Sequence, residues 1–275
     1  MKNLTFVLIA FIVITSFFAC RKDNAATANS AANTSASHLA TNTVSWVNVI
    51  PSTSFSSYST YWNDLYPWGS DHNGSARMRS QNISVSGGVL TLTSAPSGSV
   101  GNSNKDPYLP IHYYSGTVYA KTVPVVTDSW PKWHFKGEFQ CESQTGTWPA
   151  FWVTGADSWP PESDFMEFKG SATCWTNTYK NQNGQWSSVG TTISNPANWH
   201  TYTAYLTRIG TTNNVSIEYW TDGTKVSTQT GQNFVNEPLN LIIDLQMEGS
   251  SGTPGPSGNT VMRARNVTIQ RSATL

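Results

Sequence analysis

Residues 146–170 read GTWPAFWVTGADSWPPESDFMEFKG, and the reading of the whole chain starts from them. They set three acids, Glu162, Asp164 and Glu167, beside Trp148, Phe151, Trp152 and Trp159. Side chains of a β-strand alternate between faces, so Glu162 and Asp164 share a face while Glu167, five residues on from Glu162, points away in a regular strand. A one-residue bulge at Phe165 or Met166 returns Glu167 to that face. Three crowded carboxylates then shift one another's proton affinity, one staying protonated while another is ionised. Such a division is what acid-assisted cleavage between sugars requires. A solvated acidic strand would explain the acids alone. It does not explain the large aromatic groups around them, which exclude water or stack on a ligand.

Outward from this stretch the periodicity is that of strands. Residues 83–85 and 89–92 flank Gly87-Gly88, a hairpin signal, and residues 113–121 read as the next strand region. Residues 135–143, 173–179 and 215–220 follow, the last running into an Asp222-Gly223 turn. In residues 239–247 the apolar Leu239, Leu241, Ile243, Leu245 and Met247 alternate with a mostly polar set that includes Asp244 and Gln246. The expectation is an all-β domain.

The run GTWPAFW at 146–152 followed by ESDFME at 162–167 resembles the signature of glycoside hydrolase family 16, G-x-W-P-A-x-W before an E-x-D-x-x-E strand. The resemblance implies a curved, concanavalin-A-like β-jelly-roll sandwich with a cleft on its concave face and a retaining hydrolytic mechanism. Glu162 would be the nucleophile, Glu167 the acid and later the base, and Asp164 would hydrogen-bond Glu162. Trp148 and Trp159 would hold sugar rings. Trp175 and Asn177 stand where many relatives offer a cleft-facing histidine, Trp175 as a stacking platform or as core. Asp244 and Gln246 would be further sugar contacts beneath the cleft, and His200 a buried, hydrogen-bonded residue. The bulged motif resembles the branch of laminarinases, agarases, porphyranases and carrageenases, which points to a β-1,3-glucan or a β-galactan. Of the bases, Lys132, Lys136, Lys169 and Lys180 lie near enough in sequence to read a sulfated chain. Glu142 replaces an arginine of the family, and Arg265 an acid that helps to hold structural calcium, so no cofactor and no metal is expected. Ser163 replaces an aliphatic residue and should face away from the acids, with softer packing behind the strand and little effect of Ser163→Ile on turnover. Two other classes stay open: a glycan-binding protein on the same scaffold, and a polysaccharide lyase using a base such as Tyr179.

Composition agrees with a sugar partner. The chain has no net charge, only 12% charged residues, and 12 Trp, 11 Tyr and 11 Phe. Nucleic acid would want a basic surface. Pyranose faces stack on flat rings, and neutral side chains serve hydroxyls. No zinc-type Cys/His spacing occurs. Cys141 and Cys174 can bridge in an oxidising compartment, though Cys141 alternates with Gly137 and Phe139 on a buried strand face.

Lys2, the apolar run at 4–18 and Ala19-Cys20 give residues 1–19 the form of a signal peptide. Their end resembles a bacterial lipoprotein box with Cys20 lipidated. Residues 20–43 are then a flexible tether, too poor in large apolar groups to offset ordering entropy, and 44–275 a single, monomeric catalytic domain. The expected location is the outer membrane or cell surface, otherwise periplasmic or secreted, with the membrane met only through the lipid. Partitioning into a detergent phase by the full chain, and its loss in Cys20→Ser, tests the anchor.

Overall fold

The computed structural model describes residues 44–181 and 184–275. The residues read as a signal peptide, as lipidated Cys20 and as a tether fall outside the described residues. Alternating side chains build seventeen strands among those described. The first seven are β1 (Val47–Ile50), β2 (Trp62–Asp64), β3 (Ala76–Met78), β4 (Ile83–Ser86), β5 (Val89–Pro96), β6 (Tyr113–Ser115) and β7 (Thr117–Ala120). Next come β8 (Lys132–Cys141), β9 (Thr147–Gly155), β10 (Glu162–Phe168), β11 (Thr173–Asn181) and β12 (Gln185–Thr192). The last are β13 (His200–Arg208), β14 (Val215–Thr221), β15 (Thr224–Gly231), β16 (Leu239–Met247) and β17 (Thr260–Ser272).

Two sheets face each other. The front sheet runs β12-β11-β10-β9-β16-β7-β2, and the back sheet β15-β14-β13-β8-β17-β5-β6-β3, with β1 on β17 and β4 on β5. The hairpins expected from Gly87-Gly88 and Asp222-Gly223 form, with φ of 58° and 76°, then 49° and 77°, the left-handed values that a two-residue turn needs. Residues 113–121 do not make one strand. They divide at Gly116 into β6 of the back sheet and β7 of the front, and a Cβ at Gly116 would lie 2.8 Å from the Asn82 carbonyl.

Between the sheets lie fully buried Phe135, Phe139, Phe151, Phe165, Tyr202 and Tyr219. Burying each such side chain is worth about 1.5–3 kcal/mol. Phe165 packs 5.1 Å from Phe135 and 5.4 Å from Phe151 between ring centroids. Cys141 and Cys174 are free thiols in this layer, Cys141 donating to Met166 Sδ at 3.7 Å. Burial raises both thiol pKa values, that of Cys174 to about 12. His200 is held by Asp222 at 2.7 Å and by the Asn195 carbonyl at 3.2 Å, on the back sheet.

The sequence pattern gets the face of Ser163 right and its surroundings wrong. Ser163 is fully buried toward the core, but its hydroxyl lies 2.7 Å from that of Tyr219 on the back sheet. Thr178 Oγ1 bonds the same phenol, which also reaches the Asn177 carbonyl at 3.3 Å. Three hydroxyls thus tie the sheets together behind the acids, where softer packing was expected. An isoleucine at 163 would displace the phenol rather than fill slack. Tyr219→Phe, which leaves the shape and removes the shared partner, should cost about 1–3 kcal/mol. Thermal unfolding should read this as a fall of about 2–4 °C per kcal/mol.

Candidate active site

The bulge in β10 is present. Asp164 pairs with Trp152 and Met166 with Phe151, so Phe165 is the extra residue against β9. On the other side Asp164 pairs with Asn177 and Glu167 with Trp175. Both acids therefore emerge on the outer face of the front sheet, beside Glu162.

Each acid meets its own donors. The indole N–H of Trp159 donates to Glu162 Oε2 at 2.7 Å. Asn177 Nδ2 donates to Asp164 Oδ2 at 2.9 Å and to Glu167 Oε2 at 2.6 Å, so one amide joins two carboxylates. Trp148 Nε1 donates to Glu167 Oε1 at 2.6 Å, and the Lys169 ammonium lies 2.8 Å from Oε2. The expected bond from Asp164 to Glu162 gives way to the one with Asn177, because strand register sets Asn177 directly opposite Asp164. Charge-assisted bonds of this kind are short and strong, and a buried carboxylate deprived of them is costly.

Burial lifts the Glu162 carboxyl to about 7, the Trp159 N–H opposing the rise and the Glu167 charge adding to it. Burial also holds Asp164 well above the carboxylate range, helped by the charges of Glu167 and Glu162. On the neighbouring β16, Asp244 is raised to about 7, again mainly by burial. It accepts from Tyr66 Oη at 2.7 Å and Trp152 Nε1 at 2.9 Å. The site thus carries protons at neutral pH that ordinary carboxylates would have lost.

Two chambers meet at these acids. One, of about 450 Å³, is lined by Trp68, His72, Lys105, Trp152, Trp159 and Glu162 among others. The other, of about 370 Å³, is lined by Trp148, Asp164, Glu167, Lys169, Asn177 and Trp186 among others. Glu162 belongs to both. Trp159 is 58% exposed and offers a free face to the cleft. Trp148 is buried with one edge on Glu167, so it fixes the acid as well as walling the chamber.

The other anticipated contacts divide. Asp244 and Gln246 lie on the cleft floor but are engaged by the protein, Gln246 Oε1 accepting from the backbone N–H groups of Ala76 and Met247 at 2.8 and 2.9 Å. Trp175 shares the acids' face, half-buried over Gly190, and lines neither chamber. Of the four lysines, Lys169 alone reaches the chambers, since Lys132 and Lys136 belong to β8 of the back sheet and Lys180 is exposed on β11. Glu142 follows β8 and also lines neither. Arg265 pairs with Glu138 at 2.8 Å and lies over Trp199. Tyr179, the residue considered as a lyase base, is buried between Trp159 and Trp186 and accepts the Gly184 N–H at 2.8 Å.

The segment between β2 and β3 brings residues that strand periodicity does not reveal. Trp68 stacks on Tyr66 at 5.1 Å, and His72 on Trp152 at 5.8 Å. Burial, then the nearby Lys105 charge, lower His72 to about 4, so it is a neutral cleft histidine. Gly74 permits the close approach, since a Cβ there would lie 2.5 Å from Gln246 Cγ. The available signal was composition: YPWGSDH at 66–72 gathers aromatics, Pro and Gly in a segment without period.

Carboxyl groups of unequal proton affinity on one strand face, walled by indoles in a cleft open to solvent, define an enzyme that hydrolyses glycosidic bonds. Residues 132–256 match the family described as Glycosyl hydrolases family 16. A galactan endo-β-1,3-galactanase of Flammulina velutipes is 47% identical over 232 residues, covering 82% of this chain and 90% of that protein. The chain belongs to glycosyl hydrolase family 16 and is an endo-acting glycoside hydrolase of β-linked polysaccharide. An endo-1,3-1,4-β-glycanase of Rhizobium meliloti (strain 1021) is 28% identical over 62% of this chain and 35% of its own length. Among solved structures, the catalytic domain of a laminarinase from Thermotoga petrophila RKU-1 superposes with a TM-score of 0.63 at 15% identity, covering 84% of this chain and 99% of that one. An endo-1,3-β-glucanase from Streptomyces sioyaensis does so with 0.61 at 20% identity, covering 78% and 90%. These two likenesses show the jelly-roll fold.

Two measurements probe the site. Asn177→Ala should lower kcat about 10²-fold, the scale of losing one preorganised donor, with the fold retained by circular dichroism. A carboxyl whose pKa is raised by folding contributes most below its unfolded value, and that contribution is lost as pH rises, here from about 4.5 to about 7 for Glu162. Glu162→Gln lacks this loss, so its melting temperature should gain on that of the wild type between pH 5 and pH 8.

Proposed function

We propose that the enzyme cuts β-1,3-linked galactan internally with retention of anomeric configuration, Glu162 serving as nucleophile and Glu167 as acid and base. The observation that carries the roles is the bulge, which sets both glutamates on one face around Asp164. The 47% identity to a galactan endo-β-1,3-galactanase over 90% of its length supports the substrate.

In the first step the proton that Glu162 holds on to has passed to Glu167, and the ionised Glu162 attacks the anomeric carbon while Glu167 gives this proton to the glycosidic oxygen. The bond to that oxygen breaks, the departing chain leaves with a hydroxyl, and an ester joins the remaining sugar to Glu162. A water then attacks the same carbon, Glu167 takes its proton, and the ester bond breaks to restore Glu162. Asp164, whose hold on a proton burial strengthens, would stabilise charge on its neighbours without adding a third negative charge. Lys169 yields its place on Glu167 Oε2 to the glycosidic oxygen before the proton is given. Trp148, Trp159 and the neutral His72 would line the path of the sugar chain.

Export as a lipid-anchored, monomeric surface protein completes the reading. It is supported by the apolar run before Cys20 and the polar residues that follow it.

A reducing-end assay on β-1,3-galactan, laminarin, lichenan, agarose, porphyran and carrageenans tests the substrate. Galactan should be cut, with Glu162→Ala down about 10⁴-fold or more. Cleavage of another polysaccharide, with galactan untouched, would replace the substrate reading. Glu167→Ala should lose about 10²–10⁴-fold on polysaccharide and far less on an aryl glycoside, whose leaving group needs little protonation.

A further inference from the structure

The outward face of the back sheet carries another groove, of about 470 Å³, comparable with the larger chamber of the cleft at about 450 Å³. Three adjacent strands line it: Lys132 on β8, Tyr205 and Thr207 on β13, and Ser216, Glu218 and Trp220 on β14. Register produces the cluster. Thr207 stands between Lys132 and Ser216, and Tyr205 is opposite Glu218. The alternate residues Leu206, Ile217 and Tyr219 are buried in the core, which leaves this set to the outside. None of the six lines the catalytic cleft.

An aromatic row extends from the groove across the sheet. Trp220 meets Tyr205 edge-on at 6.4 Å, Tyr205 stacks on His134 at 4.6 Å, and His134 lies 5.4 Å from Trp46. His134 is 8% exposed, and its Nε2 has no hydrogen-bond partner among the described residues. The half-buried Trp220 and Tyr205 present apolar surface at the groove, and Thr207 and Ser216 supply hydroxyls between them. The lining itself holds one base and one acid, Lys132 and Glu218; Lys225, outside the lining, approaches Glu218 at 3.4 Å and lies 5.9 Å over the Trp220 ring. Flat rings with neutral hydroxyl donors and acceptors between them complement an uncharged sugar chain.

We propose that this groove is a second glycan-binding site, holding a neutral β-linked hexose chain of the polymer that the cleft cuts by stacking on Trp220 and Tyr205. It performs no chemistry. It keeps the enzyme on the polymer, because a chain held at one site meets the other at raised effective concentration. The proposal rests on the galactan reading for the choice of probe alone.

The test is the double variant Tyr205→Ala/Trp220→Ala, its folding checked by thermal unfolding. Its activity on a short β-1,3-galacto-oligosaccharide, which the cleft accommodates alone, should stay within about twofold, while kcat/KM on the polymer falls about fivefold or more. In a Glu162→Ala background, retardation in gels containing the polymer should weaken by a similar factor. Unchanged retardation and unchanged polymer turnover overturn the site. If the parent enzyme leaves galactan uncut, the substrate reading fails, and the same comparison in gels of the polysaccharide it does cut decides the groove separately. If the double variant instead turns a dimer into a monomer on sedimentation, with glycan retention intact, the groove is a self-interface and the proposal is overturned. Should the double variant not fold, Trp220→Ala alone is put through the same comparisons, and equality with the parent overturns the site.

Discussion

Carboxylates buried side by side on one strand must all be given partners or protons, and this constraint organises the cleft. Repulsion and desolvation act together on Glu162, Asp164 and Glu167, and the surrounding residues answer both. Trp148, Trp159, Asn177 and Lys169 supply donors, and burial lets Asp164 keep its proton. The neighbouring Asp244 repeats the solution with Tyr66 and Trp152. Residues that look like a sugar-binding wall are thus also what makes the acids tolerable in the absence of sugar.

The bulge that creates this crowding is anchored from behind. The extra residue, Phe165, turns into the aromatic layer among Phe135, Phe151 and Tyr219, so the step in β10 is filled by core packing. The phenol of Tyr219 then reaches Ser163, one residue before Asp164. Alignment of the acids therefore depends on the back sheet, although no catalytic group lies there. Core interiors pack too densely for such a step to slide.

Much of this was legible because strand parity is local. The bulge, the face of Ser163, the two hairpins and the alternation of β16 follow from counting residues. What escaped depends on register between strands far apart in sequence. Asn177 lines the chamber, as a sugar contact would, and its pairing with Asp164 also turns its amide onto the acids, which counting does not show. Ser163 finds its partner 56 residues away, and Lys132 and Lys136 lie on the other sheet. Tyr66, Trp68 and His72 escaped for a different reason: they stand in a segment without period, held over β16 by the contact at Gly74. The division of residues 113–121 escaped with the register: the half-buried positions, Tyr114 before Gly116 and Tyr119 after it, change parity at a crossover that only the pairing of the two sheets reveals.

Trp159 gives the cleft an uneven dryness. Its indole is the hydrogen-bond partner of Glu162, yet it is among the most exposed large side chains described. Water therefore has access to one side of the contact that steadies the Glu162 carboxyl. Under the proposed mechanism, a sugar laid against that ring would close the opening and lower the local dielectric as it arrives, strengthening the field at the reacting carbon. The polymer would in this sense be part of the wall, and the catalytic environment would be complete only while a chain long enough to cover Trp159 is in place.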